Sequence, residues 1–267
     1  MWLKIKIKGD VYMDTEKKLV LVYLKNNILL KKDTLKFPTA DDLKDYMVES
    51  SKYLGKYDGD KFFINSYKNN NFDEKIFETV DMNTFKWNFG SSKSKVIASG
   101  EHIHRWYKKH RYCGKCGLVL KEKEDERALQ CESCNTIYFP ENFPAIIVLI
   151  KNKNKILLAR NVAFPEKKYS LIAGYIDVGE NAEEAVRREV MEEVGLKVKN
   201  IEYYGTQSWP FTSTLMIGFC AECDGNDKIK VDGIEIVDAN WYDKDFDIEI
   251  PTEGTIAGKI IRNYFDL

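Results

Sequence analysis

The sequence predicts an α/β fold, and three stretches carry that prediction. Residues 145–150, AIIVLI, are an unbroken apolar run of strand length, the pattern of a strand buried on both faces. Residues 181–195 have the ends and periodicity of a short helix: Asn181 as N-cap with Glu184 three residues on, a stripe of Ala182, Val186, Val190 and Val194, and Gly195 as a stop. Ahead of both, the pairs Cys113/Cys116 and Cys131/Cys134 mark a small metal-bound module.

At 267 residues and 44% hydrophobic content, the chain can bury a sizeable core, enough for two domains and a small insert. Its 41 basic and 42 acidic residues leave a net charge of −1, which excludes the global basic field of a dedicated nucleic-acid binder and leaves room for a local patch. No apolar run of about 18 residues occurs, and the first residues alternate lysine with apolar side chains where a signal peptide would place a hydrophobic stretch. A soluble, cytoplasmic protein with no membrane partner is expected.

In chain order, residues 1–8 have the two-residue period of a half-buried strand, and residues 19–24 predict a second strand. Residues 41–54 are expected to be helical, with Leu43, Met47 and Leu54 apolar among charges, and residues 61–64 return as strand through Phe62 and Phe63. Residues 67–73 are polar and loop-like, and GSSKSK at 90–95 is the best linker candidate. The expected division is a mixed α/β domain at 1–95, a linker helix and cysteine module at 96–140, and a second α/β domain at 141–267.

Residues 96–110 predict a helix that holds all three histidines, His102, His104 and His110. They are expected to serve packing or solvent contact, because four cysteines already complete a tetrahedral site. Each C-x-x-C aims two thiolates at one ion, with Gly114 and Gly117 easing the first turn, so zinc is the expected occupant. Four thiolates leave no position for water, and the site is therefore expected to be structural. Cys220 and Cys223 form a third pair, but they fall in a predicted strand at 215–223, where residues three apart face opposite sides. They are expected to be ordinary small residues.

Beyond 145–150, strands are predicted at 156–160, as the second arm of a hairpin, and at 169–173, then after the capped helix near 198–205, 215–223 and 239–243. Strands flanking a helix in this order fit an α/β sandwich.

That helix also carries a cost. Glu189, Glu192 and Glu193, at i, i+3 and i+4, repel one another and face the negative end of the helix dipole. A divalent cation removes the conflict, and clustered hard oxygens suit magnesium or manganese. A solvated acidic face is the plain reading of any E-x-x-E-E, but the flanking residues weaken it here. Gly174, five residues, Glu180, seven residues, then Arg188-Glu189-Val190-Met191-Glu192-Glu193-Val194-Gly195-Leu196 resembles the Nudix box of the Nudix hydrolases at every defined position. The resemblance implies hydrolysis of a diphosphate linked to a nucleoside, with the box glutamates on divalent metal and Arg188 supporting the loop by pairing with Glu180. In the family this helix packs on a mixed sheet.

The segment Thr206-Gln207-Ser208-Trp209-Pro210-Phe211-Thr212-Ser213-Thr214 then narrows the resemblance to the NADH pyrophosphatase branch, which carries S-Q-P-W-P-F-P-x-S there. Gln207, Trp209, Pro210 and Phe211 match, Thr206 and Thr214 keep hydroxyls, and Ser208 and Thr212 replace prolines. Taken alone, W-P-F reads as a rigid loop packed on a sheet; within the branch, residues 207–214 line a pocket for a base and its ribose. The same resemblance implies that Phe139 and Tyr175 stack on the base, that Glu126 reaches the substrate from the ribbon, and that Ala257 contributes backbone near the phosphates. It further implies that Glu235, with Glu189, Glu193 and the Ala173 carbonyl and with Glu192 nearby, holds Mg²⁺ or Mn²⁺. The expected activity is hydrolysis of NADH or NAD to nicotinamide mononucleotide and AMP by a homodimer, with NAD-capped RNA as a second substrate. ADP-ribose or a dinucleoside polyphosphate is the alternative substrate, and a non-catalytic zinc-ribbon module binding nucleotide or RNA is the alternative of another class.

Overall fold

A computed structural model describes residues 17–87 and 89–267, and the strand predicted at 1–8 lies outside them. The chain packs as two compact units, Met1–Val80 and Asp81–Leu267.

The first unit holds β1 (Lys18–Leu21), β2 (Tyr23–Leu24), β3 (Asn27–Lys31), β4 (Val48–Tyr57), β5 (Asp60–Tyr67) and most of β6 (Phe77–Asp81). They form two three-stranded sheets, ordered β1-β5-β4 and β2-β3-β6. The helix predicted at 41–54 is absent: a turn precedes β4, Leu43 is buried and Met47 exposed. Two local effects override the helical spacing. The Asp42 carboxylate accepts from the Thr39 backbone N–H and hydroxyl, both at 2.8 Å, and so captures the backbone in a turn. Asp58 and Gly59, with φ of 49° and 90°, then close β4 onto β5 with Tyr57 opposite Asp60, a D-G hairpin signal.

The second unit begins with α1 (Met82–Trp87) and α2 (Ser92–Lys109). The expected linker at 90–95 is largely the first turn of α2. Ser91 caps that helix by accepting from the Ser94 N–H at 3.1 Å, so serines that read as flexible are in fact a helix start. The cysteine module follows as the small sheet β7 (Lys121–Glu122), β8 (Leu129–Gln130) and β9 (Ile137–Tyr138).

Next come β10 (Phe143–Asn152), β11 (Lys155–Asn161), β12 (Ile172–Tyr175), α3 (Ala182–Val194), β13 (Val198–Trp209), β14 (Thr214–Cys223), β15 (Ile236–Tyr242) and α4 (Ile256–Phe265). The mixed sheet runs β13-β14-β10-β11-β15, with β12 also paired to β10. Strand β10 is parallel to β14 and antiparallel to β11 and β12. Both of its faces are buried, as the apolar run predicts. Ile146, Val148 and Ile150 pack with Ala185, Val186, Val190 and Val194 of α3, whereas Ile147 and Leu149 pack with Ile256, Ile260 and Ile261 of α4. The result is the expected α/β/α sandwich. Helix α4 adds to the predicted elements, and Thr255 as N-cap and the periodic Ile256, Ile260 and Ile261 announce it. Cys220 joins the α4 core and Cys223 the α3 core, so the third pair does face opposite sides. Among the described residues, no helix is long and apolar enough to cross a membrane.

Candidate active site

Helix α3 has both halves of the predicted capping box: Glu184 N–H donates to Asn181 Oδ1 and Asn181 N–H to Glu184 Oε2, each at 2.9 Å. Gly195 ends it at φ 68°, the left-handed conformation that suits glycine. With both ends fixed and the valine stripe buried, the acids take three different environments. Glu193 is only 6% exposed, Glu189 is 13% exposed at its side chain, and Glu192 is 60% exposed.

Glu193 is the most perturbed. Burial pushes its carboxyl up to about 8, helped by the charges of Glu189, Glu235 and Asp232, and its buried Oε2 has no hydrogen-bond partner. Glu189 is raised in the same direction, chiefly by burial and against the pull of Arg188. Gly174 at the end of β12 lies against it: a Cβ on Gly174 would fall 2.0 Å from Glu189 Cδ, so glycine is required for that approach. Ala173, the preceding residue, pairs with Ile147 of β10.

Arg188 organises the entry to this cluster. Its guanidinium donates to Glu180 Oε1 at 2.6 Å and Oε2 at 2.9 Å, and to the Tyr175 carbonyl at 2.9 Å, tying the loop before α3 to the helix. Its Nη1 reaches Glu189 at 2.8 Å and Glu192 at 3.0 Å. The bonds from Arg188 hold the Glu180 carboxyl down at about 2.

Glu235 approaches from the loop before β15. Asp232, which sequence reading missed, shapes that loop by accepting from the N–H groups of Glu235 at 3.1 Å and Ile236 at 2.9 Å, while its own N–H donates to the Glu193 carbonyl at 3.1 Å. The signal was present as Asp232-Gly233, an aspartate before a turn glycine with φ 72°. A buried, unpartnered carboxylate oxygen amid further acids fits a hard divalent cation, whose charge compensates what the protein leaves unpaired.

The 207–214 segment divides by role. Gln207 is taken up within the chain: its amide donates to the Gly254 carbonyl at 2.8 Å and its oxygen accepts from the Ile256 N–H at 2.7 Å, which fixes the turn ahead of Ala257. Trp209 and Phe211 pack edge-on with each other at 5.0 Å and against Phe89 at 5.1 and 5.4 Å. Pro210 and Thr214 are buried, whereas Ser208 and Thr212 are exposed. Thr214 bonds the Thr212 hydroxyl at 2.8 Å and the Tyr175 hydroxyl at 3.3 Å, so Tyr175, 52% exposed, adjoins this segment. Ser213 adopts φ 56°, and its carbonyl accepts from the Phe143 N–H at 2.7 Å.

Glu126 and Phe139 stand on the cysteine module. Glu126 pairs with Lys123 at 3.5 Å and Phe139 is exposed; among the described residues neither makes a hydrogen bond or ring contact to α3 or to residues 207–214. A separate cleft of about 740 Å³, lined by Gly90, Ser91, Lys95, Gly254, Lys259 and Arg262 among others, includes none of the three α3 glutamates.

In the cysteine module, Sγ distances are 3.5 Å for Cys113–Cys134, 3.4 Å for Cys116–Cys131 and 3.8 Å for Cys116–Cys134. Those separations exceed a disulfide bond and approach the roughly 3.8 Å edge of a tetrahedron with zinc–sulfur bonds of about 2.3 Å. Among the described residues this is the cluster whose ligand atoms all lie within 4.8 Å of one another. Each knuckle turns on a left-handed residue, Gly117 at φ 76° and Asn135 at φ 57°. The Tyr138 hydroxyl accepts from the Gly114 N–H at 2.8 Å and lies 3.6 Å from Cys113 Sγ, which lowers that thiol to about 6 and favours the thiolate a metal takes. The site suits a structural zinc. The histidines stay outside it: burial lowers His102 and His104, the latter to about 4, and His110 Nδ1 lies 3.0 Å from the Trp106 carbonyl.

With this geometry in place, residues 141–261 match the family profile of the NUDIX domain. They are a Nudix domain. Residues 108–139, just ahead of it, match the NADH pyrophosphatase zinc ribbon domain. The NAD-capped RNA hydrolase NudC of Salmonella heidelberg (strain SL476) is 41% identical over 169 residues, which are 63% of this chain and 65% of that protein. The protein of the same name from Escherichia coli O9:H4 (strain HS) is 40% identical over the same shares. The chain thus spans 65% of the length of the curated relatives it matches. A crystal structure of a NUDIX hydrolase from Nitrosomonas europaea superposes with a TM-score of 0.50 at 24% identity, covering 58% of this chain and 90% of that one, a likeness of fold. The Nudix domain supplies α3, Glu235 and the loop at 207–214, and the zinc ribbon supplies the four thiols.

Proposed function

We propose that this chain is a metal-dependent diphosphatase that cleaves NADH or NAD to nicotinamide mononucleotide and AMP, and that the same cleavage removes an NAD cap from RNA. The observation that carries the reading is Glu193, a buried carboxyl with an unpartnered oxygen, faced by Glu189, Glu235 and Asp232 in the last turn of the Nudix box helix. The zinc ribbon and the relatives named for NAD-cap hydrolysis support the substrate class.

Bound Mg²⁺ or Mn²⁺, held by Glu189, Glu193, Glu235 and the Ala173 carbonyl with Glu192 nearby, would offset diphosphate charge and acidify water. The protein's own part is positional. Arg188 keeps the loop at Tyr175 and Glu180 against α3, and Gly174 leaves room for Glu189. The exposed Tyr175 ring offers a face to a flat base, and its hydroxyl meets Thr214, which ends the segment that carries Ser208, the Trp209–Phe211 pair and Thr212. Gln207 acts through the turn that presents Ala257, while Glu126 and Phe139 contribute from the ribbon. In this reading 96–140 and 141–267 are separate functional parts, 1–95 is an accessory domain, and the protein is a cytoplasmic homodimer of twice 31.0 kDa.

The test is product analysis with NADH, NAD-capped RNA and ADP-ribose in Mg²⁺ or Mn²⁺. NADH should give reduced nicotinamide mononucleotide and AMP, NAD-capped RNA should give nicotinamide mononucleotide and RNA with a 5′-monophosphate, and Glu193→Gln should abolish both. Preference for ADP-ribose, or binding without hydrolysis in either metal, overturns the assignment.

A further inference from the structure

We propose that Arg105 of α2 is a positioning residue for the loop at 209–213, holding from outside the Nudix domain the conformation in which that loop meets substrate. The inference rests on the reading of that loop as a substrate contact.

The loop is a single 3-10 turn, Pro210–Thr212, between two strands. Ser213 follows in the left-handed region at φ 56°, a conformation that a non-glycine residue keeps only when its surroundings enforce it. The Phe143 N–H holds the Ser213 carbonyl at 2.7 Å, and Arg105 holds the carbonyls that precede it. Its Nη1 donates to the Phe211 carbonyl and its Nη2 to the Pro210 carbonyl, both at 2.8 Å, and Nη2 lies 3.4 Å from Ser213 Oγ. A planar guanidinium spans two successive carbonyls in one rigid fork, which an ammonium cannot do. Glu101, one turn earlier on α2, orients the fork by pairing with Nη1 at 3.1 Å, its side chain only 19% exposed.

The contact also explains why α2 lies where it does. Arg105 grips the loop, and the next residue, Trp106, packs with Cys113, Leu120, Leu129 and Cys131 of the ribbon. One turn of one helix therefore joins the ribbon core to the loop backbone. The grip falls on main-chain carbonyls, so it fixes where Trp209 and Phe211 stand and leaves their rings free of it.

The variants Arg105→Met, Arg105→Lys and Trp209→Ala, compared with wild type, test the assignment through KM and kcat for NADH and through the rate of chymotryptic cleavage after Phe211. Arg105→Met should raise KM roughly tenfold while kcat stays within about threefold, because a misplaced loop weakens binding more than chemistry. Cleavage after Phe211 should accelerate in parallel, and Arg105→Lys should fall between wild type and Arg105→Met on both measures. Unchanged KM and unchanged cleavage in Arg105→Met overturn the proposal, as does a loss of kcat alone with KM constant. If Arg105→Met does not fold, Arg105→Lys carries the test: raised KM and faster cleavage support the role, and wild-type values reject it. Trp209→Ala separates the two readings. Raised KM there with wild-type behaviour in the Arg105 variants rejects Arg105 alone, whereas wild-type KM in Trp209→Ala rejects the loop as a substrate contact.

Discussion

Glu193 makes the active site sensitive to pH through folding as well as chemistry. Its carboxyl sits at about 8 in the folded, metal-free protein against an ordinary 4.5. Below about 4.5 both folded and unfolded chains hold the proton and no penalty exists. As pH rises towards 8 the unfolded chain ionises first, so stability falls across that window and the penalty from this one group reaches its full size above it, on the order of a few kcal/mol. Urea unfolding from pH 5 to 9 in a chelator should show this slope, and Glu193→Gln should flatten it. Magnesium should flatten it too, with release of a proton on binding near pH 7. A Gly174→Ala substitution probes the same site by volume, since its Cβ would occupy the place of the Glu189 carboxylate. Activity should drop at least tenfold while the melting temperature changes little; wild-type kcat/KM would show that Glu189 has slack.

At the scale of elements, α3 and the ribbon depend on different local devices. Replacing Asn181 by Ala removes one half of the capping box and should cost about 1 kcal/mol, read as a lower unfolding midpoint with kcat unchanged. In the ribbon, Tyr138→Phe removes the hydroxyl that bonds Gly114 and lowers Cys113, so zinc should leave faster to a chelator. What the sequence disclosed follows from these devices. Helix α3, the two-sided strand β10 and the thiol cluster were legible because caps, periodicity and C-x-x-C spacing are local signals. Arg105 was not, because it acts on backbone carbonyls of Pro210 and Phe211, far away in sequence, which no periodicity announces; Asp232 did leave a local trace, the Asp-Gly turn, but nothing in that trace points to Glu193. The helix expected at 41–54 failed for the opposite reason: Asp42 and the Asp58-Gly59 turn were local signals, and stronger than the apolar spacing that was followed.

Across the second unit, the ribbon core is small: Trp106, Cys113, Leu120, Leu129 and Cys131 with a few partly buried neighbours. A core of that size needs a metal to close it. Metal analysis should find one zinc per chain, and Cys131→Ser should abolish it while the six-stranded Nudix sheet keeps its own cooperative unfolding.

The two-sided burial of β10 has a consequence for how this fold is specified. In a strand with one wet face, a slip of one residue puts apolar side chains into water, and solvation alone enforces alignment. A slip of β10 would exchange Ile146, Val148 and Ile150 for Ile147 and Leu149, one oily set for another. Alignment must then come from the strand's ends: the turn at Lys153, held at φ 53°, and the Phe143 N–H anchored on the Ser213 carbonyl. Because Ile146 lies opposite Gly174, those two ends also decide where the glycine beneath Glu189 comes to rest.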